Sequence, residues 1–183
     1  MKILLALLLA AAPALVLAQS PQKIDPSKSF IRFVSKQMNV PVEGQFKRFQ
    51  GTVTFDPAKP EAAKAEFEVE LASIDLGTEE GETEAKRKAW LSVEAFPRAK
   101  FVAESVRQTA PGKYLASGPL TIKGISVPVN APFTLAEAAG ARTVDGQFTL
   151  KRLAYKIGEG PWADTDTVAD DVLVRFRFTL PAK

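Results

Sequence analysis

The chain has no cysteine and no histidine. Without cysteine there are no disulfides, no thiolate nucleophile, no soft metal ligand and no thiol for a lipid anchor, so packing and backbone hydrogen bonds must supply the stability. Without histidine the commonest general base and the commonest transition-metal ligand are missing. Ser73, Ser92 and Ser126 therefore have no imidazole to activate them as nucleophiles. Charge of one sign is also scarce: 24 basic side chains face 21 acidic ones, a net +3. That balance is too mild for a nucleic-acid binder, which clusters its basic residues on one face. After the first residues no stretch approaches the roughly 20 apolar residues of a membrane span.

The one long apolar run lies at the start. Lys2 precedes Ile3 to Leu17, and Val16-Leu17-Ala18 ends in the small residues of a cleavage site, so residues 1–18 read as a removable export signal. Removing Lys2 lowers the charge from +3 to +2. Residues 19–183 are then expected to form one domain, large enough to bury a core without staples.

Strand periodicity is present in abundance. In Ala65-Glu66-Phe67-Glu68-Val69-Glu70-Leu71 every even position is glutamate and every odd one apolar. Val172, Val174, Phe176, Phe178 and Leu180 likewise alternate with Arg175, Arg177 and Thr179. A period of two gives a strand one apolar and one wet face. The spacing predicts strands over residues 30–35, 42–46, 50–55, 65–71, 100–106, 114–122, 127–135, 146–153 and 172–180. Asp56-Pro57 with Pro60, Pro111-Gly112, Lys123-Gly124, and Gly140 with Asp145-Gly146 separate several of them as turns. This is an all-β, antiparallel pattern, a sandwich or a barrel. Pro128 and Pro132 within one alternating run predict an edge or bulged strand. Between Thr78 and Phe96 acids precede bases, predicting a short helix capped by Thr83 and running through Leu91, with Trp90, Leu91 and Phe96 pressed on the sheet or its opening.

Taken in order, several pieces resemble the YceI-like family of exported polyisoprenoid-binding proteins. They are Val42-Glu43-Gly44-Gln45-Phe46, Phe49-Gln50-Gly51-Thr52-Val53-Thr54-Phe55-Asp56, Ser73-Ile74-Asp75-Leu76-Gly77 and Trp90-Leu91. Phe96-Pro97-Arg98-Ala99-Lys100-Phe101, Gly118-Pro119-Leu120-Thr121-Ile122-Lys123-Gly124, Lys151-Arg152-Leu153 and Ile157-Gly158-Glu159-Gly160-Pro161-Trp162 follow. The resemblance implies a lipocalin-like antiparallel β-barrel of about eight strands with one or two short helices, a size that holds one ligand. It also implies a periplasmic location and a polyprenyl phosphate or isoprenoid quinone lying in the pore. Many members carry a histidine after the first strand and another ahead of the position of Leu91. Here those stretches read Ser35-Lys36-Gln37-Met38 and Lys88-Ala89-Trp90-Leu91.

A tail of methyl groups and double bonds needs large apolar surface. The candidate lining is Phe33, Phe46, Phe55, Phe67, Phe101, Leu120, Ile122, Phe133, Phe148, Phe176 and Phe178; the same rings can also simply fill a core. Trp90, Leu91, Arg152 and Trp162 are the candidate mouth residues. Trp162, after a loop of glycines and proline, either meets the ligand with its face or plugs one end. Lys36, Lys47, Arg48, Lys86, Arg87, Lys88, Lys151 and Arg152 stand near loop ends as possible partners of an anionic head, with Arg152 preferred for its place beside the 157–162 loop. The acidic groups Glu79, Glu80, Glu82, Glu84 and Asp164, Asp166, Asp170, Asp171 lack the spacing of a calcium loop. No catalytic residue, metal or cofactor is assigned. The expected protein is a non-enzymatic carrier, a monomer or homodimer, with an isoprenoid ligand, transient contact with a membrane surface and no nucleic acid. The competing expectation is a stress-related interaction module whose barrel is filled by side chains.

Overall fold

The computed structural model describes residues 20–138 and 140–181. The expected export signal over residues 1–18 lies outside the described residues. Twelve strands form one sheet: β1 (Gln22–Lys23), β2 (Phe30–Gln37), β3 (Val40–Phe46), β4 (Phe49–Thr54), β5 (Lys64–Glu70), β6 (Ile74–Asp75), β7 (Arg98–Ala103), β8 (Ser105–Ala110), β9 (Lys113–Ile122), β10 (Ile125–Ala138), β11 (Ala141–Lys151) and β12 (Asp171–Leu180). All pair antiparallel. Among the described residues one α-helix, α1 (Glu79–Lys86), joins β6 to the segment before β7.

The hydrogen-bonded order β4-β5-β7-β9-β10-β11-β12-β2-β3 returns to its start, because β3 runs on into β4 across Lys47 and Arg48. The sheet is thereby a closed barrel. Its twelve strands make eight passes and one two-residue addition, β1. Bends divide three of the passes: β3 from β4 at Lys47-Arg48, β5 from β6 at the 3₁₀ turn Leu71–Ser73, and β7 from β8 at Glu104. The single strand expected over residues 100–106 is thus two, since β7 lies between β5 and β9 while β8, beyond the bend, pairs with β9 alone. Such bends let each pass curl around the barrel, and period-two patterning does not reveal them.

Alternation places the side chains as the sequence pattern requires. On β5 the outward glutamates meet bases across the strands: Glu66 with Lys100 at 2.6 Å, Glu68 with Arg98 at 3.2 Å and Glu70 with Arg48 at 2.7 Å. These exposed pairs fix register more than they stabilise. Inward, three phenylalanines lie across glycines on the facing strand, Phe33 over Gly44, Phe67 over Gly51 and Phe176 over Gly146. Each ring occupies the space a Cβ would need, so the glycine lets the ring lie flat and the barrel wall stay close.

β10 tests the proline expectation. From Ile125 to Pro132 it pairs with β9 alone, and β11 joins only from Phe133. Pro128 faces Pro119, and two residues without N–H cannot exchange hydrogen bonds. The alternation therefore turns the missing donors of Pro128 and Pro132 toward the side without a partner, where they cost no ladder bond. The helix differs from expectation. Its N-cap is Thr78, whose hydroxyl accepts from the Gly81 N–H at 3.3 Å, with Glu79, Glu80 and Glu82 in the first turn. It ends at Lys86, before Trp90 and Leu91, which follow in turns. Thr83 lies inside the helix instead of capping it.

Gly146→Ala would drive a methyl into the Phe176 ring and the Pro132 carbonyl. The expected loss is about 2 kcal/mol in urea unfolding, larger than for any single outward glutamate of β5 changed to glutamine.

Candidate functional site

The barrel interior is not filled. A cavity of about 580 Å³ is lined by side chains from all eight passes. Six of the inward rings, Phe33, Phe46, Phe67, Phe101, Phe133 and Phe148, are only half-buried although they point inward, because they border this space. The expected filled barrel of the interaction-module reading is therefore not what the interior shows. At the base the rings do pack: Phe55 meets Tyr114 edge-on at 5.1 Å, and Phe67 stacks on Phe178 at 4.1 Å, followed by Phe176 at 5.2 Å. Phe55, Phe176 and Phe178 are buried there, yet each keeps an edge on the cavity. The two roles open in the sequence, lining and filler, thus overlap: the rings of the base pack on one another and still border the cavity.

All eleven residues expected to line the pore border the cavity, Leu120 and Ile122 included, and so do Trp90, Leu91, Arg152 and Trp162. Sequence reasoning missed the small residues, Ala65, Ala99, Ala116 and Ala131. They were visible as the short members of alternating runs, and their size is what leaves the space open. Among the lining residues only Gln37, Lys64 and Thr78 are exposed. Gln37 and Thr78 share the end of the barrel that holds α1 and the loops after β11.

That end is tied together by two buried cations. Arg152 is 1% exposed and follows β11 in a 3₁₀ turn, Arg152–Tyr155. Its Nε donates to the Ala169 carbonyl at 3.0 Å. Nη1 donates to Ile157 and Gly158 at 2.8 and 3.1 Å, and Nη2 to Trp162 and Val168, both at 2.7 Å. Five N–H groups thus meet five backbone carbonyls. The expectation that Arg152 holds an anionic head is corrected: no donor is left for one. Burial pulls its pKa below the ordinary arginine value, against which Asp170 acts to raise it. Gly158, at φ +79°, passes so close to Nη1 that a Cβ would collide with it.

Lys123, between β9 and β10, is the second tie. Its ammonium donates to Lys88 O at 3.2 Å and Lys156 O at 2.5 Å, and pairs with Glu159 at 3.1 Å. Gly158 and Glu159 both donate to Ala89 O, at 2.8 and 2.9 Å. The 157–162 loop is thereby fastened over the segment carrying Trp90, and the two indoles meet at 5.5 Å. Other expected head partners have acids instead: Lys47 pairs with Asp75, Arg48 with Glu70, Arg87 with Glu84 and Lys151 with Asp171. Lys36, Lys86 and Lys88 have no ion pair among the described residues. The acidic sets serve locally. Asp170 accepts from the Leu153 N–H, and Asp164 from the Asp166 N–H and the Thr167 hydroxyl. Among the described residues no three acids converge as a metal site.

Two buried polar atoms in this region have no partner, Trp90 Nε1 and the Tyr155 hydroxyl. Tyr155 is 1% exposed, packed among Leu71, Ile74, Leu91, Ala99, Ile122 and Leu150, and burial pushes its phenol up to about 12. Trp90 borders the cavity, but its Nε1 is itself buried and has no partner among the described residues.

Comparison with known proteins places this geometry. The sequence model described as the YceI-like domain matches residues 22–180. A UPF0312 protein of Pseudomonas savastanoi is 36% identical over 88 residues, 48% of this chain and 46% of that protein. UPF0312 protein plu2095 of Photorhabdus laumondii is 33% identical over 125 residues, 68% of this chain and 64% of that one. The matched region thus spans about half to two-thirds of these relatives. Among solved structures, Burkholderia cenocepacia BcnA superposes with a TM-score of 0.84 at 39% identity, covering 86% of this chain and 99% of its own. A polyisoprenoid binding domain from Saccharophagus degradans, implicated in plant cell wall breakdown, gives 0.70 at 15% identity, covering 88% and 98%.

Arg152→Met would leave five carbonyls without their donor, with an expected loss of about 3 kcal/mol or more in chemical unfolding. Tyr155→Phe, by contrast, removes an unpaired hydroxyl and is expected to be neutral or stabilising by about 1 kcal/mol. It should also change the alkaline limb. The folded protein keeps a phenol proton that the unfolded chain gives up near 10. That contribution is therefore complete below about pH 10 and is lost as the pH rises toward 12. Unfolding midpoints measured across that window should fall more steeply for the wild type than for Tyr155→Phe.

Proposed function

The chain belongs to the YceI-like family, and we propose that its barrel is a carrier that encloses an isoprenoid lipid, a polyprenyl phosphate or an isoprenoid quinone. The observation behind this reading is the apolar cavity, bordered by inward rings that only a guest can finish burying. The relative from Saccharophagus degradans, described as a polyisoprenoid binding domain, supports the same class of guest. Each 100 Å² or so of tail transferred from water gains about 2.5 kcal/mol before ordering costs. The barrel works as a solvent and performs no chemical step: its walls replace the bilayer for a tail that water rejects. Lys2 and the apolar run after it support export to the periplasm, where such a tail needs a host between membranes.

In this proposal the polar head lies at the end tied by Arg152 and Lys123, beside Trp90 and Trp162, which border the cavity there. Arg152 acts at one remove, by holding the 157–162 loop and Trp162 against Trp90. The Trp90→Ala change removes an aromatic side chain that borders the cavity at that end. It should weaken a quinone-headed isoprenoid roughly tenfold, with a smaller loss for the headless hydrocarbon squalene. Leu120→Trp places an indole in the cavity, and should abolish uptake of both while the far-ultraviolet circular dichroism stays that of a β-barrel. Undiminished uptake by Leu120→Trp would count against the pore as the binding place.

A further inference from the structure

Three large apolar side chains stand exposed among the described residues, and two of them flank a single asparagine. Met38 is 68% exposed and Val40 62%. Both are at the tip of the β2–β3 hairpin, whose last pair is Gln37 with Val40. Met38 and Asn39 have φ of 48° and 64°, the two left-handed residues of a tight hairpin turn. Methionine is a poor choice there: asparagine or glycine takes the left-handed region with less strain. The tip is nevertheless held firmly. Met38 N–H donates to Thr167 O at 2.8 Å, Ala169 N–H donates to Lys36 O at 2.9 Å, and Gln37 bridges Val168. A strained, rigid turn therefore holds two apolar side chains out in water. Gln37, next to Met38, is one of the exposed lining residues of the cavity.

The wall behind the tip is basic. Lys36 is exposed without an ion pair among the described residues. Farther down, Arg32 on β2 stands directly opposite Arg175 on β12, both exposed and neither paired with an acid among the described residues. Their cross-strand neighbours are uncharged, Gln45 beside Arg32 and Gln147 beside Arg175. Like charges opposite each other on a sheet are destabilising; the Arg32 guanidinium lies 4.5 Å over the Phe30 ring, which offsets part of that cost. Acids are near as well: Glu43 faces Val34 on the same hairpin, and Asp164 and Asp166 belong to the loop beside the tip. Asp164 already accepts from a hydroxyl and an N–H within that loop.

We propose that the β2–β3 hairpin docks the barrel on an anionic bilayer. Met38 and Val40 enter the interfacial zone, Lys36 meets lipid phosphates, and Arg32 with Arg175 draws the β2–β12 wall toward the surface. An apolar wedge with an unpaired base beside it is a combination that binds such an interface. The orientation brings the Gln37–Thr78 end of the cavity to the membrane. Docking does not require a lipid in the pore, so it stands or falls apart from the carrier reading.

Co-sedimentation of the purified protein with vesicles tests it. The wild type should pellet with phosphatidylglycerol–phosphatidylethanolamine vesicles and much less with phosphatidylcholine alone. Met38→Asp with Val40→Asp should lower the vesicle-bound fraction by about tenfold. Arg32→Gln with Arg175→Gln should lower it by about threefold on the anionic vesicles only. Uptake of a short-chain quinone dispersed in buffer should be unchanged in both. A wild type that stays in the supernatant with both vesicle types would overturn the assignment. So would a Met38→Asp, Val40→Asp protein that pellets like the wild type, or one that has also lost uptake from buffer, since that would place the effect in the pore.

Discussion

Everything in this structure depends on the closure of one sheet around an interior that its own side chains do not fill. Eight antiparallel passes, each alternating apolar-in and polar-out, close into a barrel once β3 runs into β4 and β12 pairs with β2, leaving β10 from Ile125 to Pro132 without a partner on its second side. The outward half of the pattern is satisfied cheaply, by solvent and cross-strand ion pairs. The inward half is under tension. Phenylalanines on facing strands cover glycines, while alanines at 65, 99, 116 and 131 leave room between them. A barrel of this size with so many small inward residues has a packed base and a hollow middle.

The hollow explains why the upper end is so heavily tied. A loop closing an empty space has little apolar contact to hold it, and its backbone groups are far from the ladder. Arg152 answers this with five donors aimed at five carbonyls, and Lys123 with two carbonyls and a carboxylate. Burying two cations is costly unless every donor is matched, and here Arg152 has each one matched within hydrogen-bond distance. Trp90 and Trp162 are held in place by this frame. Two buried polar atoms among the described residues are left without partners, Trp90 Nε1 beside this frame and Tyr155 Oη in the packed core.

Much of this was legible in the residues. The alternation in residues 65–71 and 172–180 gave the strands, their antiparallel class and the inward rings, because a half-buried strand must alternate whatever its neighbours do. Pro128 and Pro132 marked a place where one side of a strand lacks a partner. The family resemblance, more than the rings themselves, pointed to a hollow interior. The rest was hidden for physical reasons. Bends at Lys47-Arg48 and Glu104 leave the local period unchanged. The helix started at Thr78, since the acids after it complement the helix dipole better than those after Thr83. Arg152 read as a free surface cation because carbonyl partners from five other residues belong to the fold and have no signature in side-chain sequence. The same blindness applies to Met38: only the turn's geometry shows that an apolar residue occupies a left-handed, exposed position.

The central claim is that the cavity belongs to an isoprenoid tail. Its most direct test is native mass spectrometry of protein isolated from its own cell envelope without detergent, followed by solvent extraction and identification of the extract. The account predicts a one-to-one adduct that extracts as a polyprenyl compound. A bare mass that stays unshifted after incubation with polyprenyl phosphates and isoprenoid quinones would contradict it.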